Sequence, residues 1–265
     1  MSQSQTWRLI PLMEGSGTMQ MAIDAWLLNQ HQHRKHPPTL RFYTWHPAAI
    51  SLGYHQKNYP PGWEQLTWQE KPLDIVRRPT GGRAVLHQGD LTYTVVTSTL
   101  PGKRLEVYRQ ICQFLIVGWR SLGVELDYGT ATKEYIENHN CFATATGADL
   151  ITATGDKAIG SSQLRRKKAI LQHGSMRLST DINLFQTIFN QPQGKNLLDL
   201  IPQSPRYSAV SRRSILENRH NCSIAKIVET LTEAAIATFK IDLVEEPLSN
   251  AELQDIVNNF SLLRY

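Results

Sequence analysis

The sequence predicts a mixed α+β (α/β) fold, with a central β-sheet flanked by helices. Two patterns carry that expectation. Some segments place apolar residues at the 3.6-residue helical period, while others alternate apolar and polar residues in strand fashion. The two kinds are interspersed along the chain without strict alternation, which favours a mixed sheet covered by helices over a regular parallel barrel. With 265 residues, 41% apolar and 19% charged, the chain is long enough for one large core and has the composition of a folded protein.

Taken in order, residues 6–12 read as a strand entering a turn at Glu14-Gly15-Ser16-Gly17. Thr18 has the chemistry of an N-cap for a helix whose apolar face is Met19, Ala22, Ile23, Trp26 and Leu27. Pro37-Pro38 closes that region, and the β-formers of residues 39–45 and 48–52 predict two strands. A short helix is expected over residues 63–70 after the Pro60-Pro61-Gly62 turn. Residues 74–76 read as a buried strand, and residues 91–97 as a strand with Leu91, Tyr93 and Val95 on one face. A helix follows over residues 105–122, then short strands and turns through 131–179. Further helices are expected near 181–190 and 223–239, and a last one begins at Ser249, where Glu252 has capping-box spacing.

Charge and cysteine content bound the function. The net charge is +5, but apart from Arg165-Arg166-Lys167-Lys168 the basic residues are scattered, with no nucleic-acid-binding signature. No nucleic-acid partner is therefore expected, and a modest positive field suits an acidic protein partner equally well. Apolar runs such as 10–13 and 114–117 are far too short to span a bilayer, so no membrane partner is expected. The first residues lack the basic start and apolar stretch of a secretory signal, which makes a cytoplasmic location the expectation. Cys112, Cys141 and Cys222 show no metal-ligand spacing, and no metal site is expected. Cys112, among Ile111, Phe114 and Leu115, reads as core, whereas Cys222 falls near an expected helix start.

Three constellations carry chemistry. Arg77-Arg78-Pro79-Thr80-Gly81-Gly82-Arg83-Ala84-Val85-Leu86-His87 places two glycines between strands, where backbone N–H groups can approach an oxyanion. Its arginines are suited to bidentate anion binding, although a turn with solvated arginines fits the same letters. Gly155-Asp156-Lys157-Ala158-Ile159-Gly160-Ser161-Ser162-Gln163 and Ile170-Leu171-Gln172-His173-Gly174-Ser175 read as a hairpin with residues 165–168 at its tip. Lys157 in that hairpin can stabilise charge developing on a carbonyl oxygen if it faces a pocket. Cys141-Phe142 is a third candidate, although a cysteine before phenylalanine is by itself more often buried filler. His87 and His173 are candidate bases of second rank.

Together these segments resemble the lipoate–protein ligase A and octanoyltransferase superfamily, which is related to biotin protein ligases. The matching stretches are residues 40–45, Ser51-Leu52-Gly53-Tyr54-His55-Gln56, the block 77–93 and residues 157–174, in the family's order over most of residues 7–185. Thr-Gly-Gly-Arg-Ala-Val-Leu-His and the Cys-Phe pair are most similar to the LipM branch of octanoyltransferases. The resemblance implies the biotin/lipoate ligase catalytic-domain fold, with residues 1–265 as one catalytic domain and no C-terminal accessory domain. It also implies Cys141 as nucleophile and Lys157 as its catalytic partner, sixteen positions on. The substrate site would comprise Arg78, Gly81, Gly82, Arg83, Ala84, His87, Gly160, Ser161, His173 and Gly174.

By that resemblance, octanoyl-acyl carrier protein would acylate Cys141, and a lysine of a lipoyl domain or of the glycine-cleavage H protein would then take the acyl group. A thioester donor makes ATP or any other cofactor unnecessary. Leu52, Val85 and Ile159 are expected near the acyl tunnel. The sequence departs from the family at residues 143–150, which read Ala-Thr-Ala-Thr-Gly-Ala-Asp-Leu, and at Asp156, where an arginine is usual. An ATP-dependent lipoate ligase, a lipoyl amidotransferase and a non-catalytic carrier- or nucleic-acid-binding protein are the alternatives.

Overall fold

Strand β1 (Gln5–Gly15) runs almost directly into helix α1 (Gly17–Gln32), followed by β2 (Thr39–Trp45), β3 (Ala49–Leu52), β4 (Thr67–Trp68), β5 (Lys71–Pro72) and β6 (Asp74–Arg77). Next come β7 (Val85–His87), β8 (Asp90–Ser98), α2 (Arg104–Ser121), β9 (Leu126–Tyr128), β10 (Leu150–Thr152), β11 (Lys157–Arg166) and β12 (Ala169–Arg177). The chain closes with α3 (Ile182–Phe189), α4 (Arg212–Phe239), β13 (Ile241–Glu245) and α5 (Asn250–Asn259). This computed structural model describes residues 4–98, 100–129, 147, 149–202 and 212–260, with side chains in the last segment from Ile224 onward.

The expected mixed sheet with helices on its faces is what forms. Eight strands lie in the order β13-β1-β2-β8-β12-β11-β10-β9, and a smaller sheet has the order β6-β3-β7. Side-chain alternation divides the large sheet into two faces. Leu40, Phe42, Leu91, Tyr93, Val95, Ile170 and Met176 point to one side and pack on α2 and α4. Ile10, Val96, Ala169 and Leu171 point to the other side, against Ile23, Trp26 and Leu27 of α1 and Ile256 of α5. The small sheet packs its Ile50, Leu52 and Leu86 on Leu184, Phe185, Ile188 and Phe189 of α3.

Three local expectations are corrected. Ser16, not Thr18, caps α1, because its side chain accepts from Met19 N and the helix begins at Gly17. Residues 63–70 do not form a helix: a 3-10 turn at Pro61–Gln65 passes into the β4–β5 hairpin. Gln69 and Glu70 turn that hairpin with φ of 48° and 65°. Helix α4 starts at Arg212, so Cys222 lies within the helix and not at its N-terminus. The expected cap at Ser249 is present, with Glu252 N donating to Ser249 Oγ at 3.2 Å and Ser249 N to Glu252 Oε2 at 2.7 Å.

Glu252 also fastens the chain's two ends together. Arg8 of β1, 1% exposed, donates to Glu252 Oε1 at 2.7 Å and Oε2 at 3.0 Å. Burial pushes the Glu252 carboxyl up, but hydrogen bonds from Arg8 and Ser249 outweigh burial and bring it down to about 2. A carboxyl lowered on folding stabilises the protein above the ordinary carboxylate range and loses that contribution as pH falls through its folded value. Glu252→Gln should therefore cost about 1.5–3 kcal/mol at pH 7. Its deficit should shrink between pH 4.5 and 2, as read from melting temperatures of both proteins across that range.

Candidate active site

Between the two sheets, on the α1 face of the large one, lies a cleft of about 530 Å³ counting its open mouth. Strand alternation selects what reaches it. Tyr43 and Trp45 come from β2, Thr92 from β8, Gly160 and Ser162 from β11, and His173 and Ser175 from β12. The small sheet and its loops contribute Ser51, Arg78, Gly82, Val85 and His87, and α1 adds Met21.

Lys157 reaches the cleft through a bulge. Leu150 pairs with Ile159 but Ile151 pairs with Lys157, so Ala158 is the extra residue on β11. Ala158 and Ile159 both face the α2 core, and the bulge turns Lys157 to the opposite face with Gly160 and Ser162. There its Nζ meets Asp149 Oδ2 at 2.9 Å, with both side chains 3% exposed. Removing either partner would leave a buried charge uncompensated, so the pair fixes the ammonium's position.

The Gly-Gly loop is held by Arg78, which is buried and not a solvated turn residue. Its guanidinium donates to the carbonyls of Gly81, Ser51 and Arg83 at 2.6–3.2 Å and to Ser51 Oγ at 3.2 Å. Among the described residues these bonds tie the guanidinium to the loop and to β3, so Arg78 shapes the loop from within. Gly82 has φ of 101°, and Gly53 packs directly on the Gly82 carbonyl, where a Cβ would collide with it. At Gly174 a Cβ would meet Tyr93 Cε1 at 2.6 Å and Gly160 O at 2.7 Å.

Two histidines stand behind the cleft, each tied to a carboxylate. His87 Nδ1 lies 2.8 Å from Asp90 Oδ2 and its Nε2 lies 2.8 Å from Ser51 Oγ, while its ring stacks on Trp45 at 3.7 Å. Burial pushes His87 down, with Asp90 opposing, so it is a neutral donor–acceptor near neutral pH. His173 Nδ1 lies 2.7 Å from Asp24 Oδ2 and its Nε2 2.6 Å from Thr80 Oγ1. On the other face, Cys112 sits against Tyr93 and Gln172, and burial pushes its thiol up to about 11. That thiol is core, as its sequence neighbours suggest.

Of the expected site residues, Arg78, Gly82, His87, Lys157, Gly160, Ser161, His173 and Gly174 line one cleft. Gly81 is half-buried in the loop, its carbonyl taken by Arg78, and Arg83 is half-buried beside it. Ala84 is buried in the core of the small sheet. Val85 lines the cleft, whereas Leu52 and Ile159 belong to the two cores. Cys141 lies outside the described residues. The sequence reading missed Asp149, Asp24, Ser51, Thr80 and Trp45. Thr80, Ser51 and Trp45 fell inside segments singled out without being assigned to the site, and Asp24 stood out as an acid inside the apolar stretch of α1.

A buried lysine, a glycine loop and two histidines around one cleft, on this sheet, define a domain built to handle an acyl carbonyl. Solved structures support the fold: lipoate-protein ligase A bound with ATP aligns at TM-score 0.73 over 97% of this chain and 95% of its own, with 22% identity. The bipartite lipoate protein ligase of Thermoplasma acidophilum aligns at 0.68 over 98% and 93%, with 21% identity. The lipoyl protein ligase A/B catalytic domain model matches residues 16–248, and the chain belongs to that family. Octanoyltransferase LipM of Brevibacillus brevis is 34% identical over 94% of this chain and 92% of its own. Its namesake in Bacillus subtilis is 33% identical over 99% and 96%.

If contact with Gly82 sets the loop, Gly53→Ala should lower turnover by about 10²-fold, the order expected for an ångström-scale displacement of a reactive site. Gly62→Ala, with open space around its Cβ, should change neither turnover nor melting temperature. Equal activity of both variants would refute the contact's role.

Proposed function

We infer that this chain is an octanoyltransferase of protein lipoylation, an acyltransferase moving an octanoyl group from a carrier thioester to a protein lysine. The observation that carries the reading is the Lys157–Asp149 pair lining the same cleft as the Gly-Gly loop. Octanoyltransferases at 33–34% identity over nearly the whole chain support the same activity.

In this reading Cys141 is the nucleophile. Its thiol gives up a proton as the sulfur attacks the octanoyl carbonyl of acyl carrier protein. The C–S bond to Cys141 forms, the C–S bond to the carrier breaks, and the departing carrier thiolate takes up a proton. A lysine amine of a lipoyl domain or of the glycine-cleavage H protein then attacks the acyl-enzyme. The amide C–N bond forms, the C–S bond breaks and Cys141 regains its thiol. Thioester exchange is near thermoneutral and aminolysis of a thioester is downhill, so the sequence of steps runs without ATP. Lys157 stabilises the tetrahedral oxyanion in both steps, as an ammonium already positioned and shielded from water. Arg78, its N–H groups engaged with the loop, keeps the Gly82 backbone at the cleft. Trp45, Val85 and Met21 give the acyl chain apolar walls.

Mixing the protein with octanoyl-acyl carrier protein should add one octanoyl mass that maps to Cys141 and is released by hydroxylamine. Cys141→Ala should neither form the adduct nor modify the acceptor. Lysine modification at an undiminished rate by that variant would overturn Cys141 as nucleophile. Pyrophosphate release driven by free octanoate and ATP at a comparable rate would favour a ligase.

The β11–β12 tip offers the carrier a docking point. Arg166, Lys167 and Lys168 are exposed there, and Lys167 turns the hairpin with φ of 53°. Acidic carrier domains would be steered to such a rim mainly through association rate. Arg166→Glu combined with Lys167→Glu should raise KM for the carrier-bound donor about tenfold, most at low salt. The same variant should use a small octanoyl thioester as the parent does. An unchanged KM would remove the tip from the docking surface.

A further inference from the structure

We propose that His173 is the terminal acceptor of the proton released by the attacking lysine amine, reached through a directed chain of two hydroxyls, Ser162 and Thr80. The proposal rests on the octanoyltransferase reading and assigns a role for which that reading supplies no group. Aminolysis needs a base, because the amine must shed a proton as its C–N bond forms. Lys157 is engaged as an ammonium with Asp149, and an ammonium has no lone pair to accept one.

Donor and acceptor counting fixes the direction of the chain. Asp24 is fully buried and accepts from Tyr43 OH at 3.0 Å, from Thr94 Oγ1 at 2.9 Å and from Arg41 Nη1 at 3.4 Å. Its contact with His173 Nδ1 at 2.7 Å is then one more bond accepted by a carboxylate, which puts the ring proton on Nδ1. A ring that is to take up the amine proton must present Nε2 as an acceptor, and in that state Thr80 donates to it across 2.6 Å. Having spent its proton, Thr80 Oγ1 accepts from Ser162 across 2.7 Å. Ser162 thereby turns an oxygen lone pair, not a proton, toward the cleft it lines.

When the amine attacks, its proton passes to Ser162, the Ser162 proton to Thr80 and the Thr80 proton to His173 Nε2. The imidazolium that results rests on Asp24, and its proton returns to solvent or to the departing thiolate of Cys141. Arg41 and Tyr43 on β2, Thr94 on β8 and His87 beyond the loop are the other polar groups facing this centre. Asp24 is a positioning residue, holding the tautomer and stabilising the charge.

The second histidine provides the contrast. Asp90, His87 and Ser51 form a similar series, but Ser51 Oγ already accepts from the Arg78 guanidinium at 3.2 Å. A cation at the mouth of that chain opposes the arrival of a proton, and burial holds His87 low. Of the two, the Ser162 chain places its guanidinium, Arg41, at the far end on Asp24, whereas the Ser51 chain has one bonded to the hydroxyl at its mouth.

The two half-reactions separate the idea from a structural role. Exchange of one thioester for another moves no amine proton, whereas transfer to lysine does. Thr80→Val removes the hydroxyl while keeping the side chain's shape, and should slow transfer from the isolated acyl-enzyme to an acceptor domain by about 10²-fold, the lower end for general base catalysis. Acyl-enzyme formation should fall less than about threefold. Thr80→Ser should restore transfer, and Ser162→Ala should repeat the Thr80→Val split. A Thr80→Val variant that loses both half-reactions equally, or that transfers at the parent rate, would overturn the relay. Failure of the unmutated protein to form an acyl-enzyme would instead overturn the octanoyltransferase reading and the relay with it.

Discussion

Burying a carboxylate between a helix and a sheet costs several kcal/mol unless its oxygens are filled by donors, and Asp24 is placed where three strands supply them. Arg41 and Tyr43 come from β2, Thr94 from β8 and His173 from β12, so the acid on α1 registers the helix against three strands at once. Burial lowers Arg41 and raises Tyr43, which keeps Tyr43 protonated as a donor while Asp24 opposes the loss of the guanidinium charge. A slip of α1 along the sheet would strand these groups unpaired. The same contacts set the height of His173 and, through Thr80, the near edge of the Gly-Gly loop. Helix packing and site geometry are thus one constraint.

The sequence revealed what is locally encoded. Strand β2 appears at its full length because Thr39, Phe42, Tyr43, Thr44 and Trp45 are all strand-favouring residues. The β11–β12 hairpin was readable from two small-residue strands around a basic turn, and α5 from its capping box. The β4–β5 hairpin was not, because its turn uses Gln69 and Glu70 in left-handed conformations without the glycine or asparagine that normally mark one. Lys157 was legible as a residue but not as a direction. Regular alternation sets it opposite Gly160 and Ser162, and only the bulge at Ala158 reverses that. Asp149 was hidden because its meaning lies wholly in a tertiary contact with Lys157. Arg78 was legible as a basic residue beside the glycines, but its bonds to the carbonyls of Gly81, Arg83 and Ser51 exist only in the folded chain.

Charge in the cleft is arranged so that each carboxylate is answered by its own partner. Asp149 meets Lys157, Asp90 meets His87 with help from Ser175 and Thr92, and Asp24 meets Arg41 and His173. Among the described residues, no group of histidines, cysteines and acids has the arrangement to hold a metal ion. In the proposed reaction Lys157 and Arg78, both lining the cleft, would favour an oxyanion over a neutral carbonyl, the differential stabilisation that accelerates acyl transfer.

The same scaffold serves lipoate ligases at 21–22% identity, and physical chemistry accounts for its reuse. In the proposed reaction this chain offers a station for one carbonyl: apolar walls for the acyl group, a lysine from a bulged strand, and a loop fixed by its own arginine. None of these depends on how the acyl group was activated. Whether the leaving group is a thiol or a nucleotide is decided by the nucleophile and the donor, which act on the open side of the station. Proton removal from the acceptor amine is common to both routes. The proposed relay lies on the closed side, between α1 and the central strands, where β2, β8 and β12 hold Asp24 and His173 in place.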